Sequence, residues 1–193
     1  MRFMETETET DLVYEPAEDT FLLLRAALRE VGPADCVLEM GCGRGLISRE
    51  LTSKARRVIA TDINPHALRM ARKMGIWAVR ADLFRGIGAR FDLILFNPPY
   101  LPTEPQDKVD GWLNLAFDGG VSGRGTINPF LEDLRDHLAP GGRALLLVST
   151  LSGLSEIEEK ARSEGLEAMV VAREKYFFEE LVVLRLRPAG AFL

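Results

Sequence analysis

The four residues Asn97, Pro98, Pro99 and Tyr100 stand directly after Phe91 to Phe96, an apolar run that predicts a buried β-strand. Proline has no N–H group to donate to a neighbouring strand, so the two prolines end this strand. They also fix two backbone φ angles, which stiffens the turn that carries the polar amide of Asn97. The motif therefore predicts a rigid polar clamp at the end of a sheet, where it can hold a ligand group in one orientation.

A second motif that could bind a ligand is the glycine turn Gly41 to Gly45, which follows a short apolar strand, Cys36 to Met40. A helix is predicted after it, and this order of strand, glycine turn and helix is typical of a nucleotide-binding doubly wound sheet. Glycine lets the backbone approach a ligand closely, and the first helical turn offers free N–H groups. Taken alone, a glycine-rich turn is a weak signal, because a tight turn with a purely structural role is also compatible with it.

Acidic residues lie at the ends of the predicted strands around that turn. Glu39 is near the end of the first strand, Asp62 follows Arg57 to Thr61, and Asp82 follows the third predicted strand. Asp62 comes roughly twenty residues after the glycines, where nucleotide-binding folds place an acid on a ribose diol, although it could also simply cap the next helix. Ligands bind at the carboxyl ends of parallel strands, so these acids and Asn97 predict one shared site.

The elements that must position these residues alternate between strands and helices. A helix at 16–30, whose N-terminal end suits the acids Glu18 and Asp19, precedes strands at 36–40, 57–61, 76–81 and 91–96 and helices at 46–53 and 64–73. A helix from Asn128, a strand at 143–150 and a helix capped by Ser155 follow. The last two strands, 166–173 and 181–187, have no helix between them. We therefore expect an antiparallel pair at one edge of a mostly parallel α/β sheet.

The stretch from Leu101 to Gly125 is long for a connection and carries large apolar residues at 112, 113, 115 and 117. This apolar content argues against disorder, and the glycines between Gly119 and Gly125 predict close backbone packing. Two interpretations stay open at this point. The stretch is either a folded lid beside the site or a loop that only packs against the core.

The composition is that of one globular domain, with 193 residues, 47% apolar and 27% charged. The net charge of −5 argues against a nucleic-acid substrate. No apolar run reaches the ~20 residues that span a membrane. Cys36 and Cys42 lack metal-site spacing and are typical of a reducing compartment, so we expect a cytoplasmic protein without a metal. We expect a flexible tail at 1–12 and a single domain at 13–193.

Taken together, these features resemble the class I methyltransferases, which have a Rossmann-like, mostly parallel sheet of seven strands with an antiparallel strand near the C-terminus and helices on both faces. The glycines at 41, 43 and 45 are spaced by two residues, which is similar to a turn that binds S-adenosylmethionine and unlike the NAD fingerprint. The tetrapeptide Asn-Pro-Pro-Tyr occurs in members that methylate planar nitrogens, either exocyclic amines of nucleic-acid bases or the side-chain amide of glutamine. The resemblance therefore implies an S-adenosylmethionine-dependent N-methyltransferase.

Two further stretches resemble the HemK2 branch of the release-factor methyltransferases, which is eukaryotic and archaeal: Tyr14 to Phe21, and Ala116 to Gly120 with Gly123-Arg124. This resemblance extends from Val13 to about Arg187. It implies N5-methylation of the glutamine in the Gly-Gly-Gln motif of a class I release factor. It also implies a small zinc-containing activator of the Trm112 type as a partner. Members of the branch methylate lysine in some contexts.

The resemblance assigns a role to each matching position. Glu15-Pro16 and Thr20 close over the cofactor, Glu39 and Gly41 hold its amino-acid end, Asp62 takes the ribose hydroxyls, and Asp82 with the Leu83 amide reads the adenine. Asn97 and the Pro98 carbonyl hold the substrate amide. The implied cofactor-binding residues are Glu15, Pro16, Thr20, Glu39, Gly41, Gly43, Asp62, Ile63, Asp82, Leu83 and Asn97. The implied catalytic residues are Asn97, Pro98 and Tyr100, and Pro99 completes the substrate-binding set.

The implied mechanism follows from the weakness of an amide nitrogen as a nucleophile, since its lone pair is delocalised into the carbonyl group. The Asn97 side-chain oxygen and the Pro98 carbonyl oxygen can together accept both N–H hydrogen bonds of the amide. This aims the remaining lone pair at the methyl group, and Tyr100 packs against the flat amide. A substrate without two N–H donors is disfavoured because it leaves buried acceptors unpaired.

Three alternatives remain beside glutamine methylation. The same clamp serves N-methylation of exocyclic amines in RNA or DNA, it does not exclude protein lysine, and the fold could be a non-catalytic scaffold. A separate question concerns Ile76 and Trp77 in the third predicted strand, which either are buried or form an exposed apolar edge. The resemblance favours an exposed edge near Trp77 that binds the Trm112-like activator.

Overall fold

One sheet of seven strands organises the part of the chain that the structure, a computed structural model, describes: residues 12–107 and 111–190. The predicted tail at 1–12 therefore lies almost wholly outside the described residues. The strand order is β3-β2-β1-β4-β5-β7-β6. The strands are β1 Cys36–Met40, β2 Arg57–Asp62, β3 Trp77–Arg80, β4 Phe91–Phe96, β5 Leu138–Ser149, β6 Leu166–Lys175 and β7 Glu180–Pro188.

The helices connect successive strands and cover both faces of the sheet. They are α1 Glu18–Glu30, α2 Leu46–Leu51, α3 Pro65–Lys73, α4 Trp112–Leu115, α5 Ile127–His137 and α6 Leu154–Ser163, with short 3-10 turns at Pro105–Asp107 and Thr150–Ser152. β1, β2, β3, β4 and β5 pair in parallel, and β7 is antiparallel to both of its neighbours. This arrangement confirms the predicted fold class. No helix within the described ranges is long and apolar enough to cross a membrane.

The central strand β4 explains why the interior of the sheet is uniformly apolar. Ile94 and Phe96 belong to the core under α5 and α6, whereas Leu93 and Leu95 belong to the core under α1 and α2. All four are buried, with exposed fractions of 3% or less. Alternate side chains of a strand point to opposite faces, so a strand that is covered on both sides must be apolar along its length. Polar groups are left to its ends.

The β1–β4 pair is where the chain changes direction across the sheet. From β1 the chain proceeds to β2 and β3 on one side, and then returns to place β4 on the other side of β1. Such a reversal leaves a crevice at the carboxyl ends of the two strands, because their connections leave in opposite directions. Glu39 lies next to the end of β1, and Asn97 directly follows β4. The predicted residues thus flank this crevice.

The predicted cap of α3 is confirmed, whereas the predicted cap of α6 is not. Asn64 caps α3 as expected, since its side chain accepts a hydrogen bond from the N–H of His66 at 2.9 Å, and Pro65 occupies the first helical position. The predicted cap at Ser155 is wrong: α6 begins at Leu154 after Gly153, which has φ of 76° and precedes the helix without a side-chain capping bond. A left-handed glycine turns the chain into α6 in place of a polar cap.

The described parts of the long stretch after Tyr100, residues 101–107 and 111–125, are folded and tied to the end of β4. The N–H of Leu101 donates to the Phe117 carbonyl, and the N–H of Gly119 donates to the Leu101 carbonyl. Gly123 packs so tightly that an added Cβ would lie 2.5 Å from the carbonyl oxygen of Tyr100. This confirms the close backbone packing expected from the glycines. It also makes the stretch a support for the Asn-Pro-Pro-Tyr turn.

We predict that Gly123→Ala destabilises the protein far more than Gly120→Ala. Both glycines have positive φ, 70° and 71°, so alanine at either position costs about 1 kcal/mol in backbone strain. Only at position 123 does the new methyl group clash with backbone, at 2.5 Å from the Tyr100 carbonyl oxygen against 4.0 Å from the Gly125 Cα at position 120. This clash adds roughly 1–3 kcal/mol of overpacking. In thermal unfolding each kcal/mol lowers Tm by about 2–4 °C in a chain of this size. Equal losses of Tm in the two variants would contradict the packing role of Gly123.

Candidate active site

A cavity of about 270 Å³ opens at the carboxyl ends of the central strands. Its wall combines the ends of β1, β2 and β4 with the segment before α1 and the stretch after Tyr100. Nearly all the site residues predicted from the sequence meet there. Those that line it are Pro16, Thr20, Glu39, Gly41, Gly43, Asp62, Ile63, Asp82, Leu83, Asn97, Pro98, Pro99 and Tyr100.

Glu15 is the exception among the predicted residues. Its side chain is 80% exposed and lies 3.4 Å from the guanidinium of Arg44, outside the cavity wall. An exposed ion pair of this kind contributes little to stability because water and salt screen it. The neighbouring Pro16 and Tyr14 do line the cavity, so the segment reaches the site although the Glu15 carboxylate turns away from it.

The glycine turn after β1 is built on left-handed backbone. Gly41, Gly43 and Gly45 have φ of 64°, 52° and 78°, a region that other residues enter only with strain. The N–H of Gly43 donates to a carboxylate oxygen of Asp62 at 2.9 Å. The predicted turn and the predicted acid are therefore in direct contact, and one fixes the other.

Asp62 combines both interpretations suggested by its sequence position. One oxygen accepts from Gly43, and the other accepts from the N–H of Asn64 at 2.8 Å, just before α3. It thus supports the start of the helix while it lines the cavity. Burial raises the pKa of Asp62 above its usual value, and the backbone hydrogen bonds only partly oppose this.

Glu39 is a buried acid, 5% exposed, in a strand that is otherwise apolar. Its Oε2 accepts hydrogen bonds from the N–H of Ser48, at 2.8 Å, and from the Ser48 hydroxyl. The pKa of Glu39 is raised to about 7, chiefly by burial. The nearby charge of Asp62 also raises this pKa, whereas the two hydrogen bonds from Ser48 lower it. The carboxyl therefore titrates near neutrality.

Asp82 and Leu83 follow β3 and line the same cavity. Asp82 is partly exposed and forms an ion pair with Arg85 at 2.7 Å. Leu83 has φ of 50°, and among the described residues it is the one non-glycine residue with positive φ. A branched side chain in left-handed backbone is strained, and strain of this kind concentrates at binding sites. The strained peptide lies where a ligand can contact its backbone.

Asn97 has the most informative geometry in the site. Its Nδ2 donates to Oδ2 of Asp19 at 3.0 Å. A carboxylate accepts hydrogen bonds and so fixes which end of the amide faces it. The remaining atom, Oδ1, is buried and has no hydrogen-bond partner among the described residues. An unpaired buried acceptor costs about 1–3 kcal/mol, which points to a donor supplied by a ligand.

Asp19 is the functional residue that sequence reasoning missed. It is 4% exposed and accepts hydrogen bonds from the Tyr14 hydroxyl, from the N–H of Thr20 and from Asn97. The sequence analysis assigned it to the helix N-terminus because its charge suits that end. Its contact with Asn97 spans 78 positions of the chain, so local patterns do not predict it, and the one signal in the sequence was that Asp19 lies within the motif Tyr14 to Phe21.

Two aromatic residues close the cavity beside this network. Phe117 packs edge-on against Tyr14, with ring centroids 5.3 Å apart, and both line the cavity with Trp112 and Leu115. Burial raises the pKa of Tyr14, as does the charge of Asp19, so its hydroxyl keeps its proton and remains a donor. The stretch after Tyr100 therefore contributes a wall of the site, which supports the lid interpretation over a distant packing loop.

The comparisons with known proteins agree with this geometry. The family model described as a methyltransferase domain matches residues 37–142. The chain is 43% identical over 179 residues to a protein of Methanocaldococcus jannaschii assigned as a protein N5-glutamine methyltransferase, covering 89% of this chain and 90% of that relative. It is 36% identical to methyltransferase HEMK2 of Homo sapiens, covering 90% and 88%.

Among solved structures, the complex of E. cuniculi Mtq2 with Trm112 is described as responsible for methylation of the eRF1 translation termination factor. It matches with a TM-score of 0.77 and 30% identity, covering 92% of this chain and 99% of that chain. The agreement thus covers nearly the full length of each protein. It extends beyond the glycine turn to the elements on both sides of the cavity.

We predict that the buried Glu39 carboxyl makes the free energy of unfolding fall as pH rises. Because its folded pKa, about 7, lies above the ordinary value of 4.5, the folded state keeps a proton that the unfolded state has lost. Between about pH 5 and about pH 8 the free energy of unfolding therefore falls by about 2–3 kcal/mol, and Glu39→Gln removes this fall. Urea unfolding of both proteins at the two pH values measures it. If the free energy of unfolding changes equally with pH in the two proteins, Glu39 is ionised throughout this range and the prediction is wrong.

Proposed function

The chain belongs to the HemK2-type S-adenosylmethionine-dependent methyltransferases, and we propose that it methylates a glutamine side-chain amide in a translation release factor. The proposed acceptor is the glutamine of the Gly-Gly-Gln motif of a class I release factor. A relative assigned as an N5-glutamine methyltransferase and a solved relative that methylates eRF1 support this choice. The single observation that carries it is the buried, unpaired Oδ1 of Asn97.

The cavity residues fit S-adenosylmethionine by their chemistry. When bound, this cofactor supplies an electrophilic methyl group on a sulfonium centre. Glu39 and Gly41 would hold its amino-acid end, where a buried carboxyl favours a cationic ammonium group, and Asp62 beside Ile63 would accept from the ribose hydroxyls. Asp82 and the strained Leu83 backbone would contact the adenine. Gly43, Pro16 and Thr20 complete the wall in this proposal.

Asn97 orients the nitrogen that accepts the methyl group. Asp19 engages the Nδ2 of Asn97, which leaves Oδ1 as the end of the amide that can accept from a substrate N–H. The Pro98 carbonyl on the following peptide supplies a second acceptor. Two fixed acceptors restrain the substrate nitrogen and reduce its conjugation with the carbonyl group, so its lone pair becomes available. Tyr100 lines the cavity beside them and packs against the flat amide.

The proposal is tested by labelled methyl transfer to purified release factor. We expect incorporation into the wild-type release factor and none when the Gly-Gly-Gln glutamine is replaced by alanine. The same assay with RNA, with duplex DNA and with a lysine-containing histone protein separates the alternatives. Incorporation that survives loss of the glutamine, or that occurs only on nucleic acid or lysine, would overturn the proposed substrate.

We predict that Asn97→Ala lowers kcat on release factor by about 10²–10³-fold, as removal of one oriented polar group from a transition-state site does. The dissociation constant for S-adenosylmethionine, measured by calorimetry, should change little by comparison. Asn128→Ala is the matched control, because its Oδ1 is also buried without a partner among the described residues but lies outside the cavity wall. Normal turnover in Asn97→Ala would exclude the clamp.

We further propose that a small zinc-containing activator of the Trm112 type binds the edge strand β3. Trp77 and Val79 are two residues apart in this strand and are 65% and 55% exposed, whereas the preceding Ile76 is buried. An exposed apolar edge strand favours pairing with another chain. The solved relative Mtq2 forms a complex with Trm112, which supports this partner.

We predict that Trp77→Glu combined with Val79→Glu abolishes co-purification with a co-expressed Trm112-type protein. Charges on an apolar interface must be desolvated without a partner, so the complex loses its stability. The control is Met169→Glu, which should leave the complex intact. Met169 lies on the opposite edge strand, β6, and its side chain is 57% exposed. Loss of the complex in the control alone would place the partner elsewhere.

The same proposal places the enzyme in the cytoplasm, where class I release factors act on ribosomes. Cys36 and Cys42 are both free thiols, which suits a reducing compartment. Fractionation of cells that express a tagged chain tests this location.

A further inference from the structure

The tip of the hairpin between β6 and β7 carries two unusually exposed aromatic side chains. Phe177 is 93% exposed and Phe178 is 83% exposed, more than any other large apolar side chain in the described part of the protein. Their rings meet edge to face with centroids 4.6 Å apart. Apolar area of this kind contributes nothing to the core, so its place in the fold points to a contact with another molecule.

The hairpin that presents these rings is anchored firmly at its base. β6 and β7 pair up to Lys175 and Glu180, and the N–H of Tyr176 donates to the Glu179 carbonyl at 2.8 Å. The Glu179 carboxylate accepts from the Ser149 hydroxyl at 2.5 Å. Tyr176 packs against the core under α1 and α2. The two rings therefore project from a short loop whose ends are held in place.

The base of the hairpin borders the active site. A small cleft of about 80 Å³ lies against Tyr176 and Glu179 on one side and against Tyr14, Asp19 and Tyr100 on the other. Tyr14, Asp19 and Tyr100 also line the main cavity. The base of the hairpin thus adjoins Asp19, which accepts the hydrogen bond from Asn97. A macromolecule that places a side chain in the cavity must extend over the surface next to these residues.

The charges beside the rings favour a protein over a nucleic acid. Exposed aromatic rings can stack on bases, but nucleic-acid sites combine them with free cations. Here two nearby guanidiniums are engaged by carboxylates, since Arg25 pairs with Glu174 and Arg173 pairs with Glu180 at 3.4 Å. The exposed Lys175 is outnumbered in the hairpin sequence by Glu174, Glu179 and Glu180, so the charge beside the rings is acidic. A protein surface with an apolar depression is the partner that these rings fit.

We propose that Phe177 and Phe178 are a docking element that inserts into an apolar depression of the protein substrate, beside the loop that carries the methylated glutamine. This inference rests on the proposed function, since its occupant is the release factor. Rigid aromatic side chains on an anchored loop lose little conformational entropy on binding and are frequent binding hot spots. The hairpin strengthens binding of the whole substrate, whereas Asn97 selects the atom that is methylated.

The test compares whole release factor with a short synthetic peptide that contains only its Gly-Gly-Gln loop. For the double variant Phe177→Ser, Phe178→Ser, we expect KM and the calorimetric Kd for release factor to rise about tenfold or more, the loss expected of hot-spot aromatics. We expect kcat on release factor and kcat/KM on the peptide to be unchanged. Met169→Ser, a 57% exposed apolar residue within β6 and away from the hairpin tip, is the control and should change none of these.

An unchanged Kd for release factor in the double variant would overturn the proposal. An equal loss of kcat/KM on the peptide would overturn it too, because that loss would indicate damage to the cavity. The proposal would also be overturned if size-exclusion chromatography with light scattering gave a smaller molecular mass for the double variant than for the wild-type protein. That result would assign the rings to self-association. Failure of the wild-type enzyme to methylate release factor is a different result and refutes the proposed function. The Kd measurement needs no turnover, so the two failures can be told apart.

Discussion

The burial of the central strands on both faces is the constraint on which the rest of this structure depends. Leu93, Ile94 and Leu95 of β4 are completely buried between two cores. Each polar group in the middle of such a strand would have to be desolvated without compensation. Polar side chains can therefore accumulate only at the strand ends, and the parallel direction brings these ends to one edge. The location of the site is a consequence of how the core is covered.

Burial also determines the electrostatic character of the site. Glu39 and Asp62 are removed from water at the edge of the core, and the backbone N–H groups and the hydroxyl that they accept from hold their positions. The same bonds connect β1 to α2 and β2 to the glycine turn. The acids that line the cavity are thus also the groups that fix its shape. A substitution at either acid therefore changes the shape of the cavity wall together with its charge.

Sequence reasoning succeeded where local rules decide the structure. Gly41 and Gly43 occupy left-handed backbone after a strand, Asn64 caps α3, and the two prolines follow β4. It failed where the decision depends on distant residues. The contact of Asp19 with Asn97 joins α1 to β4, and the direction of the Glu15 side chain depends on Arg44. The early start of β5 at Leu138 depends on pairing with Phe91, with an irregular register before Leu93. Local propensity contains none of these tertiary contacts.

The packing of Gly123 under Tyr100 links two parts of the site mechanically. The Tyr100 carbonyl accepts from the Ser152 hydroxyl at 2.7 Å, and Gly123 leaves no space between them. Gly123 and Ser152 are consequently packed against the turn that carries Asn97. The segment from Leu12 to Ala17 also borders the cavity, and it is held by the bond from Asn64 to the Leu12 carbonyl and by the contact of Tyr14 with Phe117. Because the Tyr14 hydroxyl donates to Asp19, which also accepts from Asn97, this segment and the clamp belong to one hydrogen-bonded chain, and closure of the cavity wall and alignment of the amide are coupled.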